Sequence, residues 1–192
     1  MNTVIFDLET TGFSPAWNEI IQIAAIRIRD GKICWDDSFS TFVRPDRIVS
    51  GFITDITGIT NDDVREAPSS TEALMSFSCF AGDAILLGHN ARRFDMPFIR
   101  ESCARHNLPV RSVRFVDSMD LSRQIWGGRA GHGLDSIMER LGIPEDARRH
   151  TAPGDVAIVA EAVLRMWKLL SRGFQLSPVD CESGFLPALS AA

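Results

Sequence analysis

The sequence contains no tyrosine, which removes the phenol from the candidate acid–base groups. Its four cysteines, Cys34, Cys79, Cys103 and Cys181, are widely spaced and form no C-x-x-C pair. That pattern gives no zinc site or disulfide framework and suits a reducing, cytoplasmic setting. No apolar run approaches the roughly 20 residues of a membrane span. No basic and apolar leader precedes the first strand pattern, so neither a membrane protein nor a secretory signal is expected. Internal repeats and low-complexity stretches are also missing. The net charge of −5 argues against a protein that coats duplex DNA.

What is present is ordinary in bulk and uneven in detail. The 192 residues, 45% hydrophobic and 23% charged, suffice for one domain with its own core. From Arg92 to Arg149 there are eleven Arg against eight Asp or Glu, a local balance of +3 that leaves −8 for the remainder. Such a basic segment can track phosphates while acids elsewhere hold cations. A set of solvated helix faces would give the same count.

Apolar periodicity predicts strands over Thr3–Leu8, Ile20–Ile28 and Lys32–Val43, the last two joined by Asp30-Gly31, a hairpin signal. Ser69–Phe80 has helical spacing with Ser69 or Ser70 as N-cap. Strands at Ala84–Gly88 and Val113–Val116 bracket a helix over Ala91–His106, and helical patterns run from Ser118 through Leu170. Three meandering strands followed by α–β alternation predict an α/β domain over residues 1–171, with a mixed five-stranded sheet flanked by helices. Residues 172–192, with Gly173, Pro178, Gly184 and Pro187, read as a tail whose removal after Arg172 leaves catalysis largely intact.

The acids carry the chemistry. In Phe6-Asp7-Leu8-Glu9-Thr10-Thr11-Gly12, strand alternation puts Asp7 and Glu9 on one face, roughly 7 Å apart. Two carboxylates there are costly to bury unless a cation compensates them; an exposed strand end would also tolerate them. Gly88-His89-Asn90-Ala91-Arg92-Arg93-Phe94-Asp95 follows a strand and places Asp95 in an early helical turn. His150-Thr151-Ala152-Pro153-Gly154-Asp155 puts a loop histidine before a helix whose first turn holds Asp155, where an acid also suits the helix dipole.

Together, D-x-E-T-T-G, H-N-x-x-R-F-D and H-T-A-x-G-D resemble the motifs of the DEDDh, or DnaQ-like, 3′→5′ exonucleases. The resemblance covers roughly residues 3 to 167. It implies an RNase H-like fold in which Asp7, Glu9, Asp95 and Asp155 bind two divalent metals and His150 is the general base. The sister class uses a tyrosine as base, which this composition excludes. The longer interval from His89 to Asp95, together with Ile56-Thr57-Gly58-Ile59 and Phe115-Val116-Asp117-Ser118, is similar to the three-prime repair exonucleases, which prefer DNA with a single-stranded 3′ end. Thr10-Thr11 replaces their usual Ala-Thr, and their proline-rich insertion is missing.

The same resemblance implies that Phe13 and Ile56 wedge against the terminal base, and that the Leu8 and Thr10 backbone, His89, Asn90 and Arg93 approach the terminal nucleotide. Read alone, Phe13 is an exposed aromatic, Ile56 a core residue and Asn90 a helix N-cap. Asp117 reads as a cap for the following helix, His132 as structural and His106 as a surface residue. Oxygen-only ligands suit Mg²⁺, with Mn²⁺ as a substitute, rather than Zn²⁺. The expected partner is a single-stranded 3′ end, DNA in preference to RNA. A homodimer and a polymerase or clamp contact through Gln175-Leu176-Ser177 or Gly184-Phe185-Leu186-Pro187 stay open.

Overall fold

A computed structural model describes residues 2–144, 151–170 and 181–189. Strands β1 (Asn2–Thr10), β2 (Ile20–Arg29) and β3 (Lys32–Phe42) are followed by helices α1 (Gly51–Thr57), α2 (Asn61–Arg65) and α3 (Ser70–Ala81). Next come β4 (Ile85–Gly88), α4 (Asp95–Arg105), β5 (Val110–Asp117), α5 (Ser118–Trp126), α6 (Leu134–Leu141), α7 (Ala152–Leu169) and β6 (Glu182–Pro187). The sheet order is β3-β2-β1-β4-β5-β6. β1 pairs antiparallel with β2 and parallel with β4, and β4 pairs parallel with β5.

Side-chain alternation along β1 divides the core. Val4, Phe6 and Leu8 pack with Phe77 of α3 and with Phe98 and Ile99 of α4. Ile5 faces the other way and packs with Val156, Val159 and Val163 of α7. Asp7 and Glu9 share the parity of Ile5, so they lie on the α7 face. Of the two serines expected as N-cap, Ser69 caps α3, through a reciprocal capping box with Glu72. Helices α1 and α2 are not anticipated by the pattern. Each is shorter than two turns, and their apolar residues Ile53 and Val64 form a small cluster with Ile21 and Val49.

The sheet has six strands, not the expected five, and the extra one comes from the stretch read as a tail. β6 pairs antiparallel with β5 from Val110↔Pro187 to Phe115↔Glu182. Leu186 has no exposed surface, and the Ser78 hydroxyl donates to the Pro187 carbonyl at 2.7 Å. A Cβ at Gly184 would lie 2.6 Å from the Met96 sulfur and 3.1 Å from the Phe115 ring, so this glycine permits a close approach rather than marking a loop. Truncation after Arg172, expected to spare catalysis, therefore carries a cost in stability. Ending the chain after Arg172 removes a sheet strand and a fully buried leucine, whose loss alone costs about 2–5 kcal/mol. Urea denaturation of the truncated and complete chains should show an unfolding free energy lower by that amount or more in the truncated chain. Coincident curves would mean that β6 contributes nothing to the fold.

Candidate active site

Open sheets bind ligands beyond the carboxyl ends of their parallel strands. Here β1, β4 and β5 end at Thr10, Gly88 and Asp117, and the candidate residues gather at that edge. Carboxylate oxygens of Asp7, Glu9 and Asp155 all lie within 4.8 Å of one another, each from a half-buried side chain. Asp155 reaches the β1 acids because α7 packs on their face and starts beside them. Its cap is Thr151, whose hydroxyl accepts from the Gly154 N–H at 3.2 Å, with Pro153 in the first turn. The buried Gln22 side chain, opposite Glu9 in the β1–β2 register, accepts from the Ala152 N–H at 3.2 Å. Gln22 thus ties the start of α7 to the sheet. Nothing in the sequence singles out this glutamine among the polar residues of β2.

Asp95 enters from the opposite layer. It opens α4, whose Met96, Phe98 and Ile99 pack on the far side of β1. The β1–β4 pairing runs only from Thr3↔Ile85 to Ile5↔Leu87, and beyond it the Leu8 N–H donates to the Asp95 carboxylate. Asp95 is 1% exposed, and its Oδ1 has no hydrogen-bond partner among the described residues. Burial pushes its carboxyl up to about 7; its own backbone amide and that of Leu8 oppose the rise, while the charge of Asp117 adds to it. Asp95 does not join the group of Asp7, Glu9 and Asp155 whose oxygens lie within 4.8 Å of one another; its buried, unpartnered oxygen is a costly arrangement that a divalent cation would compensate.

This shift has a consequence for stability. A carboxyl whose folded pKa stands above its unfolded value stabilises the metal-free fold fully below about pH 4. That contribution is lost as pH rises toward 7. Melting temperatures in chelator should therefore fall more steeply from pH 5 to 8 for the wild type than for Asp95→Asn, which carries no charge there. Parallel curves would show that Asp95 ionises freely in the fold.

The remaining sequence candidates are placed as follows. His89 is half-buried, with Nδ1 2.8 Å from the Ser118 hydroxyl. Asn90 does not cap α4 with its side chain. It sits at φ 58°, and its carbonyl accepts from the Arg93 and Phe94 N–H groups ahead of the helix. Arg93 is exposed. Thr10 is buried, and its hydroxyl donates to the Gly12 carbonyl at 2.6 Å. Phe13 on the β1–β2 loop is 70% exposed, and Ile56 on α1 is 39% exposed rather than in the core. His150 lies outside the described residues. His132 is buried, 2.7 Å through Nδ1 from the Ser122 hydroxyl. Asp117 does cap α5, but it also accepts from Asn90 and Arg92, a double role that its sequence context does not reveal. Beside Asn90 and Arg93 lies a cavity of about 490 Å³ whose walls include Arg92, Arg123 and Arg129.

The family model for exonucleases of the RNase_T type matches residues 4–163. The chain belongs to the DEDDh, DnaQ-like exonuclease family. It is 42% identical over 170 residues to a DNA polymerase III subunit epsilon-like protein of Rhodobacter capsulatus, covering 85% of this chain and 23% of that protein. It is 34% identical over 177 residues to the PolC-type DNA polymerase III of Latilactobacillus sakei, covering 92% of this chain and 12% of that protein. The exonuclease thus spans less than a quarter of either relative's length. Among solved structures, the nuclease domain of 3′hExo bound to rAMP aligns with a TM-score of 0.75 at 21% identity, over 87% of this chain and 92% of that one. Exonuclease X in complex with 5′ overhanging duplex DNA aligns at 0.68 with 26% identity, over 86% and 91%. The RNase H-like α/β class expected from sequence is the class observed. No helix among the described residues is long and apolar enough to cross a membrane.

Proposed function

We propose that this exonuclease removes nucleoside 5′-monophosphates one at a time from the 3′ end of DNA, at single-stranded or frayed termini, with two Mg²⁺ ions bound by Asp7, Glu9, Asp95 and Asp155. The carrying observation is the convergence of the Asp7, Glu9 and Asp155 carboxylates within 4.8 Å of one another. When bound, two such ions supply charge neutralisation at the phosphoryl group and acidify the attacking water. The chain's own residues do the rest. His150 takes the proton of that water. Phe13 and Ile56, both exposed, stack against the terminal base, a contact indifferent to base identity. His89, Asn90 and Arg93 hold the terminal nucleotide, and Arg123 and Arg129 offer charge to the phosphates behind it.

DNA is favoured over RNA by the polymerase III relatives and by the duplex DNA seen with Exonuclease X. The 42% identity to an epsilon-like protein also supports a second reading, a proofreading exonuclease working beside a polymerase. Nucleotide release from end-labelled single-stranded DNA, duplex DNA and RNA, run side by side with Mg²⁺, tests both. The proposal expects 5′-monophosphates from the 3′ end of single-stranded DNA without any polymerase present. Release from the 5′ end, or cleavage of RNA alone, would overturn it.

A further inference from the structure

The crossover from β4 to α4 carries His89, Asn90, Arg93 and Asp95 within seven residues, and two consecutive residues, the last of β5 and the first of α5, grip it. Asp117 is 4% exposed. Its Oδ1 accepts from the Asn90 N–H at 3.0 Å and from the Met119 N–H at 3.0 Å. Its Oδ2 accepts from the Arg92 N–H at 3.1 Å. The next residue, Ser118, holds the His89 ring through its hydroxyl.

The crossover needs such a grip. Asn90 occupies the left-handed region at φ 58°, which few residues other than glycine and asparagine adopt readily. A Cβ at Gly88 would lie 2.8 Å from that of Ala91 and 3.2 Å from the Phe6 carbonyl, so the chain folds back tightly. The α4 N-cap, Phe94, has no side-chain cap bond. The Asp95 carboxylate is held by its own N–H and that of Leu8, so its aim follows from where the crossover sets the start of α4.

Helix capping alone does not account for an aspartate here. A serine or threonine caps as well, with one oxygen and no buried charge. Two acceptor atoms are needed to reach the α5 amide on one side and the crossover amides on the other. We propose that Asp117 is a positioning residue, which fixes the β4–α4 crossover so that Asp95 is aimed at the Asp7, Glu9 and Asp155 cluster and Asn90 and Arg93 at the substrate. The inference rests on the reading of Asp95 as a metal ligand.

The test compares Asp117→Ala and Asp117→Asn with Ser69→Ala, which uncaps α3 away from the site. Mn²⁺ affinity is measured by titration calorimetry, and amide exchange at Asn90 and Arg92 by NMR. Asp117→Ala should weaken Mn²⁺ binding by roughly 10- to 100-fold, the scale for losing a group that orients a ligand. Asp117→Asn keeps an acceptor at Oδ1 but presents an amide donor to the Arg92 N–H. Exchange should then accelerate at Arg92 and much less at Asn90, with a smaller loss of affinity. Ser69→Ala should leave Mn²⁺ binding unchanged. Wild-type affinity in Asp117→Asn, or in a folded Asp117→Ala, overturns the proposal, as does an equal loss in Ser69→Ala. If Asp117→Ala does not fold, Asp117→Asn decides. A wild type that binds Mn²⁺ yet releases no nucleotide would sink the exonuclease reading alone, since the calorimetric comparison needs no turnover.

Discussion

Replacing Asp155 or Asp7 by alanine should lower nucleotide release by roughly 10²- to 10³-fold or more, the scale for removing one electrostatic stabiliser of a transition state. Glu9→Ala and Asp95→Ala should do the same. The three clustered carboxylates repel one another within 4.8 Å, and Asp95 is buried with an unpartnered oxygen. In the proposed site each deletion removes a cation ligand, and at Asp7, Glu9 and Asp155 it also relieves like-charge crowding. Folding should survive, and in chelator the melting temperature should hold or rise. Circular dichroism with turnover at saturating Mg²⁺ separates the two effects. A folded Asp7→Ala or Asp155→Ala enzyme with near-wild-type turnover would remove the metal-site reading. A variant that unfolds would instead assign the acid a structural role.

The strands and the long helices were legible because each carries its own period. That Asp7 and Glu9 share a face follows from alternation alone, and α3 follows from its helical spacing behind Ser69 and Ser70. Asp95 and Asp155 required the family motifs, because an acid in a first helical turn is favourable with or without metal. What alternation cannot tell is which layer a helix packs on. The structure supplies that: α7 brings Asp155 to the Ile5 face of β1, while α4 brings Asp95 from the Phe6 face. β6 is hidden in the sequence because its glycine and proline read as breakers. Gly184 is required by the Met96 and Phe115 contacts, and Pro187 sits at the strand end. Asp117 and Gln22 were under-read for a related reason. Their long-range partners lie 25 to 130 residues away, beyond any local pattern.

His150→Ala should lower kcat by about 10²- to 10⁴-fold, the range for losing a positioned general base. The residue precedes Thr151, the cap of α7, by one position, and Asp155 by five. In the proposed mechanism the base and one metal ligand thus stand five residues apart in sequence, and Gln22 fixes the start of α7, which carries Asp155, to the sheet. Mn²⁺ affinity should persist in the variant, since all four acids remain. KM should move little, because the lost interaction acts in the transition state. A histidine that only packed before α7 would behave in the opposite way, lowering the melting temperature with kcat close to normal. Single-turnover cleavage and Mn²⁺ calorimetry on the same preparation distinguish these outcomes. Cleavage by His150→Ala at a rate close to the wild type at neutral pH would show that another group takes the proton. With no tyrosine in the chain, that group could not be the phenol used by the sister class.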